Sequence, residues 1–163
     1  MLQNRGGRGG GGACHSVTVK PRKGNPPPRV WETPSGMLNA IGLETHGLEV
    51  WIKKRYPQVK DYPCALVISV SGSTIDEFGV LVRRIDEMPR VDAFELNISC
   101  PNVSHGLDLA TDPASTEQVC REARRATSRP IFAKLTPNVS DIVPIARAAM
   151  AGGADGISAI NTL

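Results

Sequence analysis

The sequence predicts an α/β fold, a parallel sheet with flanking helices, and three observations carry that expectation. Short, fully apolar runs recur at intervals of roughly 30 residues, as strands buried on both faces do. Amphipathic stretches with recognisable caps lie between them. Polar and reactive side chains collect where the apolar runs end, the edge at which parallel α/β proteins bind ligands. The repeats fit either an open doubly wound sheet or a piece of a (β/α)8 barrel. With 163 residues the chain is shorter than the roughly 250 residues of a whole barrel.

Taken in order, residues 1–13 are rich in Gly and Arg and bury nothing, so a disordered leader is expected. Residues 14–36 are dominated by Pro and Gly. Val17-Thr18-Val19 could end a strand, and Pro21 to Arg29 reads as an irregular, polyproline-like loop. Gly36 to Leu43 reads as a loop whose backbone approaches a ligand closely. Gly47 to Tyr56 reads as a helix with basic residues near its end. Cys64 to Val70 is a buried strand ended by Ser71-Gly72. Thr74 then caps a helix running to about Met88, with Ile75, Phe78, Leu81, Val82 and Ile85 on one face.

Ala93 to Ser99 is the next strand, broken by Cys100-Pro101-Asn102, because Pro101 cannot continue a ladder. Asp112 caps a helix with Pro113 in its first turn and a Glu117–Arg121 pair one turn apart. Pro130 to Leu135 is a strand. Asp141 caps a helix with Pro144 in its first turn, stopped by Gly152-Gly153, and Gly156 to Asn161 is a last strand.

Composition narrows the function. Apolar content of 40% and charged content of 21% are ordinary for a soluble globular protein. A net charge of +3 does not by itself imply a nucleic-acid partner. The four cysteines show no C-x-x-C spacing and the three histidines add no metal pattern, so no metal site is expected. No apolar run approaches the ~18 residues of a membrane span, and a cytoplasmic, reduced protein is expected.

The strand tips hold His15, then Ser69 and Ser71, then Asn97, Cys100 and Asn102, then Lys134, then Asn161 and Thr162. Lys134 sits in an apolar run and needs a partner. A salt bridge to Glu95 and an ammonium facing an electron-rich ligand are both open. Cys100 is the nucleophile or base candidate of this edge, thrown onto a loop by the Pro-Asn that follows. Cys64 and Cys120 read as packing residues in a strand and a helix. No two-carboxylate pair, Gly-x-Gly-x-x-Gly or Walker loop is present.

Five motifs in order resemble dihydroorotate dehydrogenase across residues 14–163. They are Pro21-Arg22-Lys23-Gly24-Asn25-Pro26-Pro27-Pro28-Arg29, Asn39-Ala40-Ile41-Gly42-Leu43, Asn97-Ile98-Ser99-Cys100-Pro101-Asn102, Lys134-Leu135-Thr136-Pro137-Asn138-Val139 and Ile160-Asn161-Thr162-Leu163. Cysteine in the base position resembles class I, and the Pro-rich loop its NAD-linked branch.

The resemblance implies a (β/α)8 barrel, present here as about strands 2–6, binding FMN at its C-terminal rim. It implies oxidation of dihydroorotate to orotate in pyrimidine synthesis, with Cys100 as the base. Asn39, Ala40, Ile41, Gly42, Leu43, Asn97, Asn161 and Thr162 would hold the substrate. Asn97, Lys134 and Ile160 would meet the FMN, and an iron–sulfur/FAD electron-transfer subunit would be a partner. Three family positions are filled differently: the lysine expected on the second strand falls on His15, the asparagine expected on the third falls on Ser69, and the Gly-Gly expected after Asn102 is Gly106-Leu107. The chain is expected to be an internal fragment that neither binds FMN tightly nor turns over alone. The alternatives are a domain similar to dihydropyrimidine dehydrogenase, an inactive truncated remnant, or RNA binding through the Arg-Gly leader.

Overall fold

A computed structural model of the chain describes residues 12–13, 15–99 and 109–161. In order, these form β1 (Gly12–Ala13), β2 (Val30–Thr33) and β3 (Gly36–Asn39). A helical run follows, made of α1 (Leu48–Val50), a π-helical turn (Trp51–Arg55) and α2 (Tyr56–Val59). The regular alternation is then β4 (Leu66–Val70), α3 (Ile75–Asp86), β5 (Ala93–Asn97), α4 (Pro113–Ala126), β6 (Ile131–Lys134), α5 (Val143–Ala151) and β7 (Gly156–Ser158).

Five strands make one parallel sheet in the order β1-β4-β5-β6-β7. The order never reverses, so right-handed crossovers place every connecting helix on the same face. A doubly wound sheet reverses its strand order and carries helices on both faces. The observed arrangement is therefore that of a partial (β/α)8 barrel, with one face under helices and the other turned inward.

Side-chain alternation sorts the two faces. Ile68, Val70, Phe94, Leu96, Ile131, Ala133 and Leu135 point to the helices and are fully buried. They meet Phe78, Leu81, Val82 and Ile85 of α3, Val119, Cys120 and Ala123 of α4, and Ile145 and Ala149 of α5. Burial pushes the Cys120 thiol up to about 12, so it is an inert packing group. On the other face Val67, Glu95, Asn97, Phe132, Lys134 and Ser158 are only half-buried.

The caps follow the sequence. Thr74 accepts from the Glu77 N–H, and Asp112 accepts from the N–H of Ser115 at 2.8 Å. The cap of α5 is Ile142 rather than Asp141. Asp141 stands one residue earlier and accepts from the Val143 N–H at 2.9 Å. Gly152 ends α5 against α4, where a Cβ would run into the Glu117 carbonyl.

The N-terminal edge of the sheet is held by arginines. Arg124 donates to the carbonyls of Gly153, Thr127 and Arg129 and pairs with Asp155, whose carboxylate also accepts from the Ile131 N–H at 2.8 Å. Arg90 donates to the Cys64 carbonyl at 2.8 Å and pairs with Asp92. The Leu66 N–H, bonded at 2.7 Å, holds the Asp92 carboxyl below its ordinary range, with Arg90 adding to it. The Ser115 hydroxyl and N–H do the same to Asp112. A depressed carboxylate stabilises the fold above its unfolded pKa and loses that contribution as pH falls through the folded value. Thermal melts should therefore show stability dropping below about pH 4, with a shallower drop in Asp92→Asn than in the parent chain.

Three expectations are corrected. Cys64 precedes β4 rather than lying within it. β1 takes in Gly12–Ala13, which composition assigned to the leader. Gly36 to Leu43, expected to be a loop, begins with a strand that forms an antiparallel hairpin, β2 with β3, pairing Val30 with Asn39 through Thr33 with Gly36. Its signal was a four-residue strand on each side of Pro34-Ser35, too short to stand out from the prolines before it.

Candidate active site

The polar groups lie at the C-terminal ends of the strands, on the face turned away from the helices. They form a continuous hydrogen-bonded row. Ser16, just before the bridge that pairs Val17 with Val70, has its Oγ 2.9 Å from that of Ser69, the residue before Val70 on β4. Asn97 at the end of β5 donates through Nδ2 to Ser16 Oγ at 2.9 Å, and its backbone carbonyl accepts from Ser71 Oγ at 3.1 Å. The Ser99 hydroxyl donates to Asn97 Oδ1 at 2.8 Å. Lys134 at the end of β6 donates to Asn161 Oδ1 at 2.9 Å and to Ser99 Oγ at 3.4 Å. Asn161 beyond β7 donates to the Ser99 carbonyl at 3.1 Å.

The ladder explains this convergence. Asn97 pairs with Lys134, and Lys134 with Ser158, so these three positions share one register level. Glu95 pairs with Phe132, one level further from the tips. The ammonium of Lys134 turns towards the tips, onto Ser99 and Asn161, and the ion pair with Glu95 is not the arrangement adopted. Ser69, Ser71 and Ser99 are each no more than 3% exposed, so their hydroxyls are fixed by neighbours rather than by water.

Asn97, Lys134 and Asn161 are thus brought together as the strand-tip pattern requires. Two members of the row were missed, Ser16 and Ser99. Strand alternation held the signal for both: Ser16 is offset by one from His15, and Ser99 is two beyond Asn97. His15 is exposed, and it is Ser16 that joins the row. Cys100 and Thr162 lie outside the described residues.

Asn39 ends β3, and Ala40 to Leu43 continue the long connection after β1. Their hydrogen bonds run to their own loop. Ala40 N–H donates to the Arg29 carbonyl at 2.8 Å, and Asn25 donates to the carbonyls of Ala40 and Ile41 at 2.8 and 3.0 Å. Gly42 has φ +75°, and a Cβ there would lie 2.9 Å from the Asn25 backbone nitrogen. Arg22 Nη1 ties the connection to Ser73 beyond β4 at 3.3 Å. Ile160 is 41% exposed and stands beside the row rather than in it.

A concavity lined by Tyr56, Lys60, Asp61, Tyr62, Pro89 and Arg90 lies at the opposite, N-terminal edge. Arg90 there pins backbone carbonyls, so that edge serves stability. Among the described residues no three His, Cys, Asp or Glu side chains gather as metal ligands, and no helix is long and apolar enough to cross a membrane.

Residues 6–163 match the protein family described as dihydroorotate dehydrogenase. The chain is 47% identical over 149 residues to the dihydroorotate dehydrogenase B (NAD(+)) catalytic subunit of Desulforudis audaxviator, covering 91% of this chain and 48% of that protein. It is 49% identical over 150 residues to the protein of that name in Enterococcus faecalis, covering 91% and 48%. With the Thermoanaerobacter protein the identity is 44% over 148 residues, covering 90% and 49%. The chain spans about half the length of these relatives. On the family match and on identities above 40% across nearly all of its length, the chain belongs to the dihydroorotate dehydrogenase family.

Proposed function

We propose that this rim serves the oxidation of dihydroorotate to orotate in pyrimidine synthesis, with FMN as hydride acceptor. The observation that carries the reading is the unbroken row of hydroxyl, carboxamide and ammonium groups from Ser69 to Asn161 on the inward face. This donor set fits FMN. A fixed ammonium and amides on a half-buried face match a planar ring with carbonyl and ring-nitrogen acceptors. Lys134, Asn97 and Ile160 would hold it, and FMN when bound supplies the acceptor for the substrate's hydride.

The protein's own part is positioning and charge. The amides of Asn97 and Asn161, the Thr162 hydroxyl and the backbone of 39–43 orient the substrate pyrimidine. Cys100 takes the proton from substrate C5. A free thiol has a pKa near 8.5, so a water-poor site with aligned dipoles has to bring it into use. Lys134 offsets negative charge as it develops, in a place fixed before the reaction. The relatives are named catalytic subunits of an NAD(+) enzyme, which supports an iron–sulfur/FAD subunit as the electron-accepting partner.

The chain by itself is expected to hold FMN weakly and to turn over little. Among the described residues β7 is an outermost strand, and its Ile157 and the following Ile160 are exposed. Flavin fluorescence tests the reading. Adding the purified chain should quench FMN, and orotate should tighten the binding. No quenching at about 1 mM FMN would overturn it.

A further inference from the structure

We propose that Ser99 is the positioning residue of this rim, fixing the orientation of Asn97, Lys134 and Asn161 together. The functional value of that role rests on the reading above; the positioning itself does not.

Hydrogen-bond polarity carries the inference. An ammonium only donates. At the Lys134–Ser99 contact of 3.4 Å the serine oxygen must therefore accept. Its single proton is left for its other neighbour, Asn97 Oδ1 at 2.8 Å. That proton selects one of the two ways the Asn97 carboxamide can face. With Oδ1 on Ser99, Nδ2 is turned to Ser16 Oγ at 2.9 Å. The flipped amide would set an N–H against the serine proton and an oxygen against Ser16.

The same residue orders Asn161 through its backbone. The Ser99 carbonyl accepts from Asn161 Nδ2 at 3.1 Å, which leaves Asn161 Oδ1 to receive Lys134 at 2.9 Å. Lys134 is thereby held between the Ser99 hydroxyl and an amide that Ser99 has itself oriented. Three side chains, on β5, on β6 and just beyond β7, take their direction from one residue that is 3% exposed. In so dry a place no water replaces a lost hydroxyl proton without a cavity to hold it. Serine also has the right size: its one-carbon side chain keeps the oxygen near the backbone, so hydroxyl and carbonyl serve two different amides at once.

The experiment separates positioning from function. In the ligand-free chain, NMR follows the Asn97 side-chain amide pair and the Lys134 Cε/Nζ titration, assigned with Asn97→Asp and Lys134→Met. Ser99→Ala should shift or broaden the Asn97 amide pair and move the Lys134 titration midpoint. Ser99→Thr, which keeps a hydroxyl, should restore both. Unchanged Asn97 and Lys134 signals in Ser99→Ala would overturn the proposal, whatever the melting temperature does. Should Ser99→Ala fail to fold, Ser99→Cys keeps the volume with a much weaker donor and is read in the same way.

The second readout is FMN affinity by fluorescence quenching. Ser99→Ala is expected to weaken it roughly tenfold, the scale of one hydrogen bond to a charged group, with Ser99→Thr near the parent chain. If the parent chain does not quench FMN, the flavin reading falls while the NMR result still decides the role of Ser99. If the NMR signals move and FMN affinity does not, Ser99 orders the rim without serving the ligand, and its place in the proposed reaction is overturned.

Discussion

Lys134→Met is expected to raise the FMN dissociation constant roughly 10- to 100-fold while leaving the unfolding midpoint unchanged or slightly higher. The two halves of that result have separate causes. The ammonium lies on the half-buried inward face, bonded to Ser99 and Asn161, and it carries its desolvation cost there in the ligand-free protein. Methionine has similar length and carries no such cost, and so spares the fold. What it removes is the fixed cation of the row among the described residues, the group that a ring accumulating negative charge needs most. Lys134→Arg keeps the charge but spreads it over a planar fork too large for the gap between a serine and an asparagine, and should fall between. Fluorescence titration and a urea melt on the same three proteins check both halves. A fall in stability matching the loss of affinity would make Lys134 a structural group instead.

Much of this arrangement could be read before any coordinates, and the reason is physical. Strand-tip residues are legible because period-two alternation and the abrupt Pro or Gly stop fix both face and position, as for Asn97 and Lys134. Asn161 is legible for a related reason, since the chain leaves β7 only three residues before it. The caps at Thr74 and Asp112 are equally local. The hairpin β2–β3 was not legible. Its strands are four residues each, every residue of β3 is exposed, and Trp31, Met37 and Leu38 are each more than 60% exposed. No burial periodicity marks such an element. Ser16 and Ser99 escaped for another reason. A serine carries no charge or reactive group to single it out, and its part is defined by partners 35 and 81 positions distant in sequence.

The sorting of residues between the two faces of the sheet gives the sharpest contrast. Phe94→Ala is expected to cost about 3–5 kcal/mol, a large share of the 5–15 kcal/mol typical of a native domain. Phe94 is fully buried on β5, the central strand of the sheet between β4 and β6, with its ring under the helices. No neighbour on a sheet held by ladders on both sides can move in to fill the space. Three residues along the same strand, Asn97→Ala removes two neutral hydrogen bonds from a half-buried position, a loss of about 1–2 kcal/mol. Ser16 keeps Ser69 as a partner there. Urea unfolding should place the two variants far apart, with Phe94→Ala losing most of its cooperative transition and Asn97→Ala keeping it. FMN quenching should invert the order wherever both proteins are folded: Asn97→Ala loses the ligand and residual native Phe94→Ala retains it. The physical cause is the one-faced placement of the helices. It commits the apolar side of every strand to stability and leaves the opposite side, at the tips, free to be polar.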